Sequence, residues 1–133
     1  MFRRDYILNM IEQIGILLSS IFNKSISNEA VETRLEALSD QWIGLPLSML
    51  LSLPVEEVYR LFEDSDRMVI EKSYLMADIC RVKGTISPDK SIQHQYFEKA
   101  LYFYGKCSGS NDEKLQQEID KNSAELTSKI KEE

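Results

Sequence analysis

Apolar residues along this chain recur at spacings of three and four, the period of an α-helix. From Asp5 to Phe22, the residues Tyr6, Ile7, Met10, Ile11, Ile14, Leu17, Leu18, Ile21 and Phe22 share one broad arc, with Asp5, Asn9, Glu12, Ser19 and Ser20 opposite. An arc that wide predicts a helix packed against two neighbours. Leu8 lies at its edge, and Ile16 falls on the polar side. Ser27 suits the N-cap of a second helix, with Ile26 and Val31 as its hydrophobic staple. The core line of that helix is Val31, Leu35, Leu38 and Trp42. Gly44 and Pro46 punctuate the apolar run that follows, leaving room for one short helical turn before Leu53. Pro54 fits the first turn of another short helix, with Glu56 and Glu57 at its positive end and a finish near Phe62.

The stretch from Asp66 to Lys83 is apolar on nearly every side: Met68, Val69, Ile70, Tyr74, Leu75, Met76, Ala77, Ile79, Cys80 and Val82. Such a helix belongs inside, and the remaining chain is expected to pack around it. Its polar strips are narrow, Glu71 with Asp78 and Lys72 with Lys83. Gly84 is expected to end it, behind the cations Arg81 and Lys83. Ser87-Pro88-Asp89 opens the next helix, where Ile92, Tyr96, Phe97, Ala100, Leu101, Phe103 and Tyr104 form the apolar half and Tyr102 falls among polar residues. Ser110 and Glu113 make a capping box for a closing helix, whose thin apolar line of Leu115, Ile119, Leu126 and Ile130 is interrupted by Asn122. The expected fold is all-α, with five or six helices stacked as antiparallel hairpins in a single domain, 1–133. Within it, 1–27 form the N-terminal helix and its connection, 28–65 the middle helices, 66–107 the central hairpin and 108–133 a polar closing helix.

Composition changes this picture by exclusion. With 133 residues the chain can bury a core without disulfides or a structural metal. A net charge of −6 argues against nucleic acid, because phosphate backbones are bound by basic faces. Met1-Phe2-Arg3-Arg4 imitates the start of a secretion signal, but Asp5, Asn9, Glu12 and Gln13 interrupt the run. No stretch approaches the roughly 20 apolar residues of a membrane span. Cys80 and Cys107 form neither a metal pattern nor a secreted framework, so a reduced, cytoplasmic setting is expected. His94 is the only histidine, expected to face solvent, and with Glu98 one turn away it is too little for a metal site. The acidic cluster Glu63, Asp64 and Asp66 lacks the alternating oxygen ligands and turn glycine of a calcium loop, and a helix N-terminus explains it. No phosphate loop, nucleophile motif, metal site or cofactor site emerges.

From Met76 to Tyr104 the central hairpin resembles a divergent tetratricopeptide-type repeat. Phe97-Glu98-Lys99-Ala100-Leu101 is similar to the second-helix signature of that repeat, and Ala77 and Gly84 match its small first-helix position and turn glycine, whereas Cys80 stands where tyrosine is usual. The opening Phe2-Arg3-Arg4-Asp5-Tyr6-Ile7 with Met10-Ile11-Glu12 resembles a family of small, uncharacterised helical proteins of Gram-positive bacteria. Together the resemblances imply tetratricopeptide-like stacking and a bacterial cytoplasmic protein. The functional expectation is a non-catalytic protein-interaction module, with Leu8, Ile16 and Tyr102 as the candidate surface for a protein partner or a weak homodimer. The alternative is a small-molecule binder or enzyme, with a pocket among Trp42, Tyr74 and the tyrosines from Tyr96 to Tyr104.

Overall fold

A computed structural model describes residues 3–65, 68–108 and 112–131, the side chains of residues 3, 4 and 6 excepted. Seven α-helices and one π-helical turn account for most of these residues, and no strand occurs among them. The helices are α1 (Arg3–Phe22), α2 (Asn28–Leu38), α3 (Leu47–Ser52), α4 (Val55–Asp64), α5 (Val69–Ile86), α6 (Lys90–Gly105) and α7 (Glu113–Lys131). The sequence reading treats the chain as one domain. Its residues group into two compact units, 1–53 and 54–133, the chain dividing between Leu53 and Pro54.

In the first unit, Ser27 caps α2 by accepting a hydrogen bond from the Ala30 N–H at 3.1 Å. Val31, Leu35 and Leu38 are buried on its inner line, and Trp42 is half-buried. The helix runs on through the π-helical turn Ser39–Ile43, closed by Gly44 at a φ of +85°, where a side chain would be strained. Buried Ser39 secures this turn by donating its hydroxyl to the Leu45 carbonyl at 2.7 Å. The apolar arc of α1 is narrower in the fold than its sequence suggests. Ile7, Met10, Ile14 and Leu17 are buried, Ile11, Leu18 and Ile21 are half-buried, and Phe22 is exposed. The side chain of Tyr6 lies outside the description.

The second unit is organised around α5. Tyr74 to Cys80 are all buried, and so are Glu71, Ser73, Val82 and Gly84. Its expected start at Asp66 lies outside the described residues. Met68, in a left-handed conformation, precedes its first turn. Glu63 and Asp64 end α4 rather than opening α5. The chief correction concerns Gly84, which does not end the helix: α5 continues to Ile86 and stops before Ser87-Pro88. Gly84 is instead a point of close approach. A Cβ placed on it would lie 2.6 Å from Phe97 Cε1 and 3.2 Å from the Gln93 carbonyl oxygen, so the ring of α6 sits directly on the α5 backbone.

Asp89 caps α6, accepting from the Ile92 N–H at 3.1 Å. Phe97, Ala100, Phe103 and Tyr104 are buried, while Ile92, expected on the apolar side, is exposed in the first turn. Phe103 meets Phe62 of α4 with ring centroids 6.2 Å apart. Ser110 lies outside the described residues, and α7 is capped by Asp112, which accepts from the Leu115 N–H. Leu115, Ile119, Asn122 and Leu126 form its buried line.

Candidate functional site

The first unit carries an apolar cleft. Gln13, Ile16 and Leu17 lie on one face of α1, and Arg34, Ala37 and Leu38 on one face of α2. Together with Gln41 they line an open cleft of about 300 Å³. Leu17 and Leu38 form its buried floor, whereas Ile16 stays 53% exposed on its wall. Arg34 is exposed and forms no ion pair among the described residues. Leu8, two turns before Ile16, is 37% exposed. Two of the three residues expected to form a surface therefore lie on α1, and Ile16 lines the cleft.

Tyr102, the third, belongs to the second unit and is half-buried. Its ring meets Phe103 edge-on at 5.2 Å and carries the Lys106 ammonium over its face. The proposed aromatic pocket meets a different arrangement: Tyr74 and Tyr104 are core residues, 1% exposed, with ring centroids 6.0 Å apart. Tyr96 is half-buried beneath Lys83 and Lys99.

A polar cluster that periodicity alone mislocates is buried in the second unit. Glu71 and Asp78, read as a narrow polar strip of α5, are both wholly buried. The Tyr104 hydroxyl of α6 donates to Asp78 Oδ1, and Asn122 of α7 donates its amide N–H to the Tyr104 oxygen at 3.3 Å. Arg81 Nη2 lies 3.5 Å from Asp78 Oδ1, while Oδ2 has no hydrogen-bond donor among the described residues. Asn122 is therefore no interruption of the apolar line; it is the α7 end of a chain of hydrogen bonds reaching α5. Burial raises the Asp78 carboxyl pKa, against the opposing pull of Arg81 and the hydrogen bonds from Tyr104 and Tyr74. Burial likewise raises Tyr74 and Tyr104, with Asp78 adding to both. The cluster lies within the core, where it ties three helices together.

Both cysteines are free and buried. Cys107 donates to the Phe103 carbonyl at 3.3 Å and faces the Ile70 carbonyl at 3.6 Å, holding the end of α6 to the start of α5. Burial pushes both thiols up to about 12, so neither supplies a nucleophilic thiolate near neutral pH. His94, expected to face solvent, is half-buried, with its Nε2 shielded and without a hydrogen-bond partner among the described residues. Among the described residues, no group of three His, Cys, Asp or Glu side chains could hold a metal ion. None of the described helices is long and apolar enough to cross a membrane.

Comparison of the chain with protein-family models, with curated proteins and with solved structures gives no match in any of the three.

Proposed function

We propose that this chain is a non-catalytic protein-interaction module and that the α1–α2 cleft receives an amphipathic helix of a protein partner. The observation that carries this reading is Ile16, a large apolar side chain left 53% exposed on the wall of a cleft floored by Leu17 and Leu38. Two helices side by side present a groove for the apolar face of a third, whose anchors recur at helical spacing. Arg34, exposed and uncommitted at the edge of the cleft, selects a carboxylate on that helix by charge complementarity. The two free, buried thiols fit the reduced bacterial cytoplasm inferred as its setting.

The test compares capture of proteins from a host extract by wild type, Ile16→Glu and Arg34→Glu, with Glu29→Gln as a surface control. A stoichiometric partner retained by wild type and control but lost with both cleft variants supports the reading, especially if a peptide from that partner binds the purified protein as a helix. A partner retained equally by all four proteins would overturn it. Sedimentation over a range of concentrations asks whether the occupant is a second copy. Association of wild type that Ile16→Glu removes would assign the cleft to a weak homodimer.

A further inference from the structure

Lys106 follows α6 as its C-terminal cap residue and is exposed, yet its ammonium lies over two tyrosine rings. Nζ is 4.8 Å from the ring centroid of Tyr59 on α4 and 5.2 Å from that of Tyr102 on α6. A cation within about 6 Å of a ring centroid, over the face, is attracted by the ring quadrupole, and two rings reinforce each other. On α4, Glu56, Tyr59 and Glu63 succeed one another along a single helical face. Both carboxylates act on the Tyr102 phenol, whose pKa is raised first by burial and then by Glu56 and Glu63. Beside Tyr102 opens a cleft of about 430 Å³, also lined by Val55, Gln95, Glu98 and Lys99. A pair of rings that already holds an ammonium therefore adjoins an open cleft.

We propose that Tyr59 and Tyr102, with Glu56 and Glu63, form a binding site for alkylammonium groups, that Lys106 is its resident occupant, and that a lysine side chain of a protein partner binds by displacing Lys106 while its flanking residues lie in the cleft beside Tyr102. The site is independent of the α1–α2 cleft. Lys106 is tethered one turn beyond Tyr102, so it competes at a high effective concentration, of millimolar order or above. Methylation of the incoming lysine favours exchange, because a quaternary ammonium loses less hydration on entering an aromatic slot.

The test titrates wild type, Lys106→Ala and the double variant Tyr59→Leu with Lys106→Ala, following the tyrosine ring protons by NMR. The probes are a capped Gly-Lys-Gly peptide, its trimethyl-lysine and acetyl-lysine counterparts, and choline. Lys106→Ala is expected to bind the two charged peptides at least about tenfold more tightly than wild type does. The acetylated peptide, which lacks the charge, should not bind. The double variant should keep its helical circular dichroism and lose the binding. Equal affinities for wild type and Lys106→Ala, no binding to either, or ring shifts that persist in the double variant would each overturn the site. A response to choline with none to the charged peptides would overturn the assignment to a protein lysine.

Discussion

Helices α1 and α5 are similar in length, and each has apolar side chains at more than half its positions. Their fates differ. On α5 almost every side chain from Glu71 to Gly84 is buried, charged residues included, whereas on α1 burial is confined to the line Ile7, Met10, Ile14 and Leu17. Apolar content is therefore not what decides burial. In the second unit α5 is packed extensively against α6 and also against α4, so even its polar strip is enclosed and must be satisfied internally. On α1 Phe22, at the end of the apolar arc, and Ile16, opposite it, stay in solvent, where apolar surface is available to a partner.

The largest effect expected from this contrast is at the centre of α5. Leu75→Ala or Ile79→Ala should cost about 2 to 5 kcal/mol by opening a cavity, measured by chemical denaturation. Losses under about 1 kcal/mol at both sites would remove α5 from the centre of the core.

Gly84→Ala comes next, and it carries an unusual sign. Replacing glycine within a helix ordinarily stabilises by roughly 0.5 to 1 kcal/mol. Here the new methyl would strike the fully buried Phe97 ring, so a net loss of about 1 to 3 kcal/mol is expected. A raised melting midpoint would show that the two helices can separate at no cost.

Asp78 sharpens the comparison through pH. A carboxyl whose folded pKa is raised keeps a proton that the unfolded chain has released. Its contribution to stability is thus fully present below the unfolded value of about 4 and is lost as pH climbs toward the folded value. The stability of wild type relative to Asp78→Asn should fall as pH rises above about 4. Arg81 and Tyr74 on α5, Tyr104 on α6, Glu118 on α7 and Cys107 beyond α6 share this environment, and the paired variant subtracts what they contribute in common. A relative stability that rises over the same interval would mean that the Arg81 ion pair outweighs burial.

The smallest effect belongs to the cleft wall. Ile16→Glu should change the unfolding free energy by no more than about 0.5 kcal/mol, as expected of an exposed position, while abolishing partner capture. A loss of several kcal/mol would make Ile16 a core residue of the first unit and remove the cleft as a surface.

The helices themselves were legible by period, and so were the cap at Ser27 and the helix start at Ser87-Pro88-Asp89, because spacing and capping are local properties of the chain. Ile16 was also legible as an anomaly, since an isoleucine opposite an apolar arc needs no neighbour to be recognised. Its place on the wall of a cleft required α2. Asp78 and Asn122 look like ordinary breaks in apolar lines, and only the meeting of α5, α6 and α7 makes them buried members of one hydrogen-bond chain. Gly84 has the local signature of a helix end, yet its role depends on a ring contributed from another helix. Period and capping by themselves determined the helices and most of their apolar faces. Which polar residues are enclosed, which glycine is a contact and which aromatic holds a cation were decided only in the tertiary structure, because these properties belong to pairs of residues far apart in sequence.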